Sequence, residues 1–164
     1  GVQVGLGSGY DTEADRMERA RKLLELCEDA VARPEFQPTD TTKCNMAARF
    51  IAAGMDCHDF TDDMLASAMI AHMACSPAWR EDSLERGHAH ALKGGLAFVT
   101  LEEHPHALLC AIAPLPMMPS GSWGLDVPQV GNGGRTNGIM LLSRAFKADS
   151  RPFLRVFLFG AGDA

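Results

Sequence analysis

The chain has no run of more than two basic residues, no C-x-x-C pair, no internal repeat and no low-complexity segment. Each absence removes a class of function. Without a basic cluster, and with a formal net charge of −6, there is no electrostatic footprint for nucleic acid or for anionic lipid. No apolar stretch approaches the roughly 20 residues that cross a bilayer, so membrane insertion is not expected. The opening GVQVGLGSGY lacks the basic head and apolar middle of a secretory signal. Synthesis in the bacterial cytoplasm is expected, with any export by a route that reads no such signal, unless a signal has been removed. The five cysteines cannot all pair, and none has the spacing of a zinc ribbon or redox motif. At least one thiol should be free.

What remains is ordinary globular material: 46% hydrophobic and 22% charged residues over 164 positions, enough for one domain with a core of its own. A single domain over 1–164 is expected, with the glycine-rich residues 1–11 as a flexible leader or link. Met17, Ala20, Leu24, Cys27 and Val31 recur at spacings of three and four, which predicts an amphipathic helix over 12–32. Pro34 and Pro38 stop it and predict an extended segment over 34–40. Asp40, Thr41 and Thr42 are N-cap candidates for a second helix that begins near Cys44 and ends at Gly54. Asp62 is placed to cap a third, from Met64 to about Ala74, with Leu65, Met69 and Met73 inward. The second half is β-rich. Residues 96–101 and 106–113 read as neighbouring antiparallel strands, 114–126 as a loop, and 127–130, 138–142 and 154–159 as three more strands. Helices first and strands afterwards predict an α+β fold, with the helices on one face of an antiparallel sheet of about five strands.

Cys27 and Cys110 sit inside apolar patterns and read as small buried hydrophobes. Cys57 and Cys75 are ambiguous, and a bridge between them stays open. Cys44 differs by position. The first turn of a helix carries partial positive charge, and a thiol there becomes nucleophilic once an imidazole is brought close. His106 opens an otherwise apolar strand and shares a face with Leu108 and Cys110, so it meets Cys44 if the second helix covers that face. A histidine at a strand start is also commonly just a solvated polar end.

Thr42-Lys43-Cys44-Asn45, followed by an apolar helix ending in Ala53-Gly54, resembles the T-x-C-N nucleophile turn of papain-like cell-wall peptidases and amidases of the NlpC and CHAP types. Further stretches resemble that group in order: Met69 to Trp79, the strand Leu92 to Val99, and Pro105-His106-Ala107-Leu108-Leu109 as its histidine strand. Ser122-Trp123, then Val127 to Gly134, then Leu142 to Phe146 resemble its later motifs. Coverage runs over about 40–159. Pro105 departs from the glycine usual before the histidine, and His104 is a second candidate base. The resemblance implies a papain-like cysteine hydrolase that cleaves an amide bond in peptidoglycan stem peptides through a thioester, without cofactor or metal. It implies Cys44 as nucleophile, His106 as base and Asn132 as the residue orienting the imidazole, with Asp126 and Ser122 as alternatives. Asn45, Thr42 and Trp123 would serve the oxyanion or the substrate. Lys43, Arg135 and Asn137 could meet muropeptide carboxylates, and the loop 114–124 with Met117 and Met118 would form an apolar wall or lid. A protein of this kind resembles type VI secretion amidase effectors and phage lysins, which act in the periplasm or on the cell wall. For a toxin, an immunity protein occluding the active site is the implied partner.

Two other readings compete. His88-x-His90 and His104-x-His106, with Cys75, Cys110 and Asp126, offer nitrogen and sulfur ligands for zinc or copper. A non-catalytic cell-wall or partner-binding module would keep the hydrolase shape without its chemistry.

Overall fold

The computed structural model describes residues 11–103 and 106–160. The glycine-rich leader, His104 and Pro105 thus lie outside the described residues, apart from Asp11. The architecture is α+β: the longest helices precede a six-stranded, wholly antiparallel sheet, and shorter ones lie between its strands.

Helix α1, Glu13–Ala32, begins at a capping box in which the Thr12 hydroxyl accepts from the Asp15 N–H while the Asp15 carboxylate accepts from that of Thr12. Its inward stripe is Leu23, Cys27 and Ala30, rotated from the predicted one, and Met17 is 66% exposed. Instead of running extended, the chain after α1 makes a 3₁₀ turn at Pro34–Phe36. Proline at the start of that turn supplies the fixed φ and needs no N–H partner.

Helix α2 is Cys44–Gly54. None of Asp40, Thr41 and Thr42 caps it. Lys43 stands at the N-cap with no side-chain hydrogen bond to the helix start. Helix α3, Ala66–Cys75, starts later than expected because its cap residue is Leu65, itself 66% exposed; Asp62 pairs instead with Arg49 of α2. The buried stripe of α3 is Ala66, Met69, Ile70 and Met73.

Strands β1 (Trp79–Asp82), β2 (Ala97–Glu103), β3 (His106–Ile112), β6 (Gln129–Gly133), β7 (Asn137–Leu141) and β8 (Arg155–Phe159) form the sheet, in the order β1-β8-β2-β3-β6-β7. The expected β2–β3 pairing runs in register from Phe98 opposite Ala111 to Glu103 opposite His106. The sheet has one strand more than expected: β1 is a short edge strand whose Trp79 is buried and whose Glu81 faces out. The predicted loop 114–126 folds partly into a small hairpin of β4 (Met118–Ser120) and β5 (Leu125–Val127). A helix not clearly resolved by sequence, α4 (Leu84–Leu92), is capped by Ser83, whose hydroxyl accepts from the Arg86 N–H.

The helices do not all lie on one face. Cys27 of α1 and Ala47 of α2 stand over Gly131 and Gly133, the side that Ala111 and Phe98 share by register. Gly87 of α4 packs against Ile112, Val156 and Ala97, which alternate to the opposite side. Both faces are therefore covered, as the near-continuous apolar runs of β2 and β3 require. At the β1 edge, Phe60 stacks on Trp79 and tilts against Phe98. Asp59 fixes this corner, accepting the Trp79 indole N–H at 2.9 Å and meeting His72 Nε2 at 2.9 Å. No helix of the described residues is long and apolar enough to cross a membrane.

Candidate active site

Strands β3 and β6 pair only at Ala111–Gly131 and Ile112–Val130. Towards the start of β3 they part, and the start of α2 fills the gap. Cys44, the first residue of α2, is 5% exposed. Its Sγ lies 4.0 Å from the Ala107 carbonyl oxygen and within reach of the Leu109 N–H and the Thr42 hydroxyl. The thiol thus takes up backbone groups of β3 that would otherwise serve the sheet ladder. Gly133 makes the fit possible: a Cβ there would come within 3.0 Å of Ala47 Cβ and 3.7 Å of Cys44 Cα.

Burial is the largest influence on this thiol and holds its pKa above the ordinary cysteine range, against the lowering effect of Leu109, Thr42 and the N–H groups of Asn45 and Cys44. With no capping side chain, the first N–H groups of α2 have no intrahelical partner, and those of Cys44 and Asn45 are directed at the thiol.

A cavity of about 620 Å³ opens beside the thiol. It brings together Thr42, Cys44, Asn45, His106 and Asn132, along with Arg135 of the β6–β7 turn. His106 keeps the face expected from alternation, with Leu108 and Cys110, but α2 packs on the other face of the sheet. Thiol and imidazole therefore share only the cavity, at the gap between β3 and β6. No hydrogen bond joins them among the described residues; the imidazole is exposed. Asn132 turns its amide to the Thr136 carbonyl at 3.1 Å. Asn45 donates to the Met64 carbonyl at 3.1 Å, tying the start of α2 to the approach of α3.

Other candidates stand elsewhere. Trp123 is buried beneath the Arg151 guanidinium, 5.0 Å from its ring centre, and does not line the cavity. Ser122 and Asp126 lie in and beside the β4–β5 hairpin, away from the cavity. Met117 and Met118 belong to that same region, which packs as a surface hairpin and walls no part of the cavity. Asn137 donates to the Phe36 carbonyl at 2.9 Å. His104 lies outside the described residues.

Two histidines of the metal reading are engaged locally: His88 Nε2 meets the Leu115 carbonyl at 2.7 Å and His90 Nε2 that of Phe159 at 2.9 Å. Among the described residues no three of His, Cys, Asp and Glu come together as metal ligands. All five thiols are free, with Cys57 buried and Cys75 exposed, so the open question of a bridge between them resolves to none in this structure. Sequence reasoning missed Arg144, Phe146, Met140 and Glu103 as cavity residues. Glu103 could have been found, since it stands opposite His106 in a β2–β3 pairing that was expected. No protein-family model matches the chain, and no curated protein matches it.

Proposed function

We propose that the chain is a papain-like cysteine hydrolase that cuts an amide bond in the stem peptides of bacterial peptidoglycan. The observation that carries this reading is one cavity bordered by a thiol at an uncapped helix start, an imidazole and an amide: Cys44, His106 and Asn132. His106 takes the proton of Cys44, and the sulfur forms a bond to the carbonyl carbon of the substrate. The oxyanion that develops is met by N–H groups at the start of α2, with the Thr42 hydroxyl and Asn45 alongside. Collapse of the intermediate expels the amine, which leaves with the proton held by His106. Water, giving its own proton to the imidazole, then releases the acid and restores the thiol. Burial favours the neutral form of the thiol, and catalytic hydrogen bonds that are absent in the free protein commonly form only in the complex with substrate.

The test is digestion of purified sacculi under reducing conditions, with released fragments identified by mass. Wild type should release peptides and Cys44→Ala none; a wild type that releases nothing defeats the reading in favour of a binding module. Activity that survives chelator and is lost to thiol alkylation separates it from the metal reading. In the setting of an interbacterial toxin or lysin, expression directed to the periplasm lyses cells while cytoplasmic expression is tolerated. For a toxin, the partner would be an immunity protein seated over Cys44.

A further inference from the structure

Among the described residues, two guanidinium groups that border the cavity meet no carboxylate. Arg135 lies in the turn between β6 and β7, and Arg144 on the short helix α5 (Leu142–Ala145), beyond the other end of β7. Both are exposed and both border the cavity. Every other arginine of the described residues meets a carboxylate, apart from Arg151, which lies over the Trp123 ring and donates to the Trp123 carbonyl. The chain carries a net charge of −6, so carboxylates to neutralise this pair are not scarce. Among the described residues the fold nonetheless gives these two no carboxylate partner, and both border the cavity.

Arg144 is also held in place. Its neighbour Ser143 accepts a hydrogen bond from Ser120 of β4 at 2.7 Å, and Leu142 at the head of α5 is fully buried. Two carboxylates also border the cavity. Asp40 is already engaged by Thr39 and faces Lys43; Glu103 lies opposite His106 in the sheet register. Arg135 and Arg144 thus keep their charge for a ligand in the cavity, and a guanidinium binds a carboxylate through a planar fork that no ammonium reproduces.

We infer that Arg135 and Arg144 are specificity residues that pair with carboxylates of an acidic peptide lying across Cys44. The inference rests on the hydrolase reading in taking Cys44 as the reacting centre of the cavity.

Its test does not need catalysis. Iodoacetate and iodoacetamide alkylate a thiolate by the same step: sulfur bonds to the methylene carbon, iodide leaves, and the thiol proton passes to solvent. They differ in carrying a carboxylate or its uncharged amide. Their rate ratio at one cysteine cancels the thiolate fraction and reads the local preference for negative charge. The ratio is measured by mass at Cys44 and, as internal reference, at exposed Cys75. One exposed guanidinium–carboxylate pairing is worth roughly 1.5- to 5-fold, so the Cys44 ratio should exceed that at Cys75 by about threefold or more. It should fall to the reference value in the double variant Arg135→Gln/Arg144→Gln, recover in part with Arg144→Lys, and stay high in Arg21→Gln on α1. A Cys44 ratio equal to that of Cys75, or one unmoved by the double variant, overturns the inference. Digestion of sacculi is scored separately. A wild type that cuts them while the alkylation ratio is flat refutes the arginine roles alone. One that cuts nothing while the ratio stands refutes the hydrolase reading and leaves a cavity that binds acidic peptides.

Discussion

Gly133→Ala perturbs the site without touching a reacting atom. A Cβ at this position would stand 3.0 Å from Ala47 Cβ, where carbon atoms settle at roughly 3.5–4.0 Å. About half an ångström or more must be found between α2 and β6. Ala47 is buried and both neighbours are backbone-anchored, so no flexible side chain can absorb the shift. Overpacking of this kind costs about 1–3 kcal/mol. Loss of unfolded-state freedom on replacing glycine returns about 0.4–1 kcal/mol, leaving a net destabilisation of about 1–2 kcal/mol. For a chain of this size that lowers the melting temperature by about 2–8 °C. The control is Gly138→Ala, opposite Asn132 on β7, where the added Cβ meets only the Met140 methyl at 3.8 Å; it should be neutral or slightly stabilising. Because the displaced helix carries Cys44, alkylation of that thiol by iodoacetamide should also quicken in Gly133→Ala and not in Gly138→Ala. Equal melting temperatures and equal alkylation rates in the two variants would refute the claim that Gly133 seats the thiol.

Cys44→Ala should abolish peptide release from sacculi while shifting the urea midpoint only slightly, since a small side chain replaces a small buried one. Burial pushes Cys27 up to about 12 and Cys57 up to about 11. These thiols ionise first in the unfolded chain, so stability is complete below the ordinary thiol pKa and falls as pH rises above it, by up to about 1.4 kcal/mol per pH unit for each thiol. Urea melts under reducing conditions at pH 8 and pH 10 should show the fall, and Cys27→Ala should lessen it. The bond from His72, with that from Trp79, holds the Asp59 carboxyl below its ordinary value. Its contribution is present above the ordinary carboxylate pKa and disappears as pH falls through the lowered one, so Asp59→Asn should flatten the acid limb of a stability–pH curve. Thr12→Ala, which removes the cap of α1, should cost about 1 kcal/mol in thermal melts.

Elements whose pattern is local were legible in the sequence. The Thr12–Ala32 region, the helix from Cys44 to Gly54 and the β2–β3 pairing all follow from periodicity and stop signals within one window. The errors arose where the deciding partner lies far along the chain. Leu65 looked inward by spacing and is exposed as the N-cap of α3, while Asp62, expected to cap that helix, pairs with Arg49. Trp79–Asp82 carried too few apolar residues to read as a strand, and Phe60 and β8 make it one. The cavity shows the same division. Thr42, Cys44, Asn45, His106 and Asn132 were each singled out by sequence and all border it. Trp123 was also singled out, and its ring is instead covered by Arg151, a contact between residues 28 positions apart. Arg144 had no local signature, since its freedom is evident only when every other guanidinium has been paired.

The relation between Cys44 and His106 can be decided from the balance of forces on the thiol. Burial holds its proton on, and the backbone donors and Thr42 around it are not enough to reverse that. An imidazolium within a few ångströms would be, because an opposite charge at that range favours the thiolate. Among the described residues that line the cavity, His106 is the sole imidazole. The pH dependence of iodoacetamide alkylation at Cys44 should therefore differ between wild type and His106→Ala. In the variant the rate should be small at neutral pH and rise only above the ordinary thiol range, as burial alone dictates. In wild type the rate at neutral pH should be higher than in the variant, because a protonated imidazole nearby favours the thiolate. Superimposable profiles would mean that the imidazole across the gap does not act on the thiol, and the proton transfer assigned to His106 would have to be abandoned.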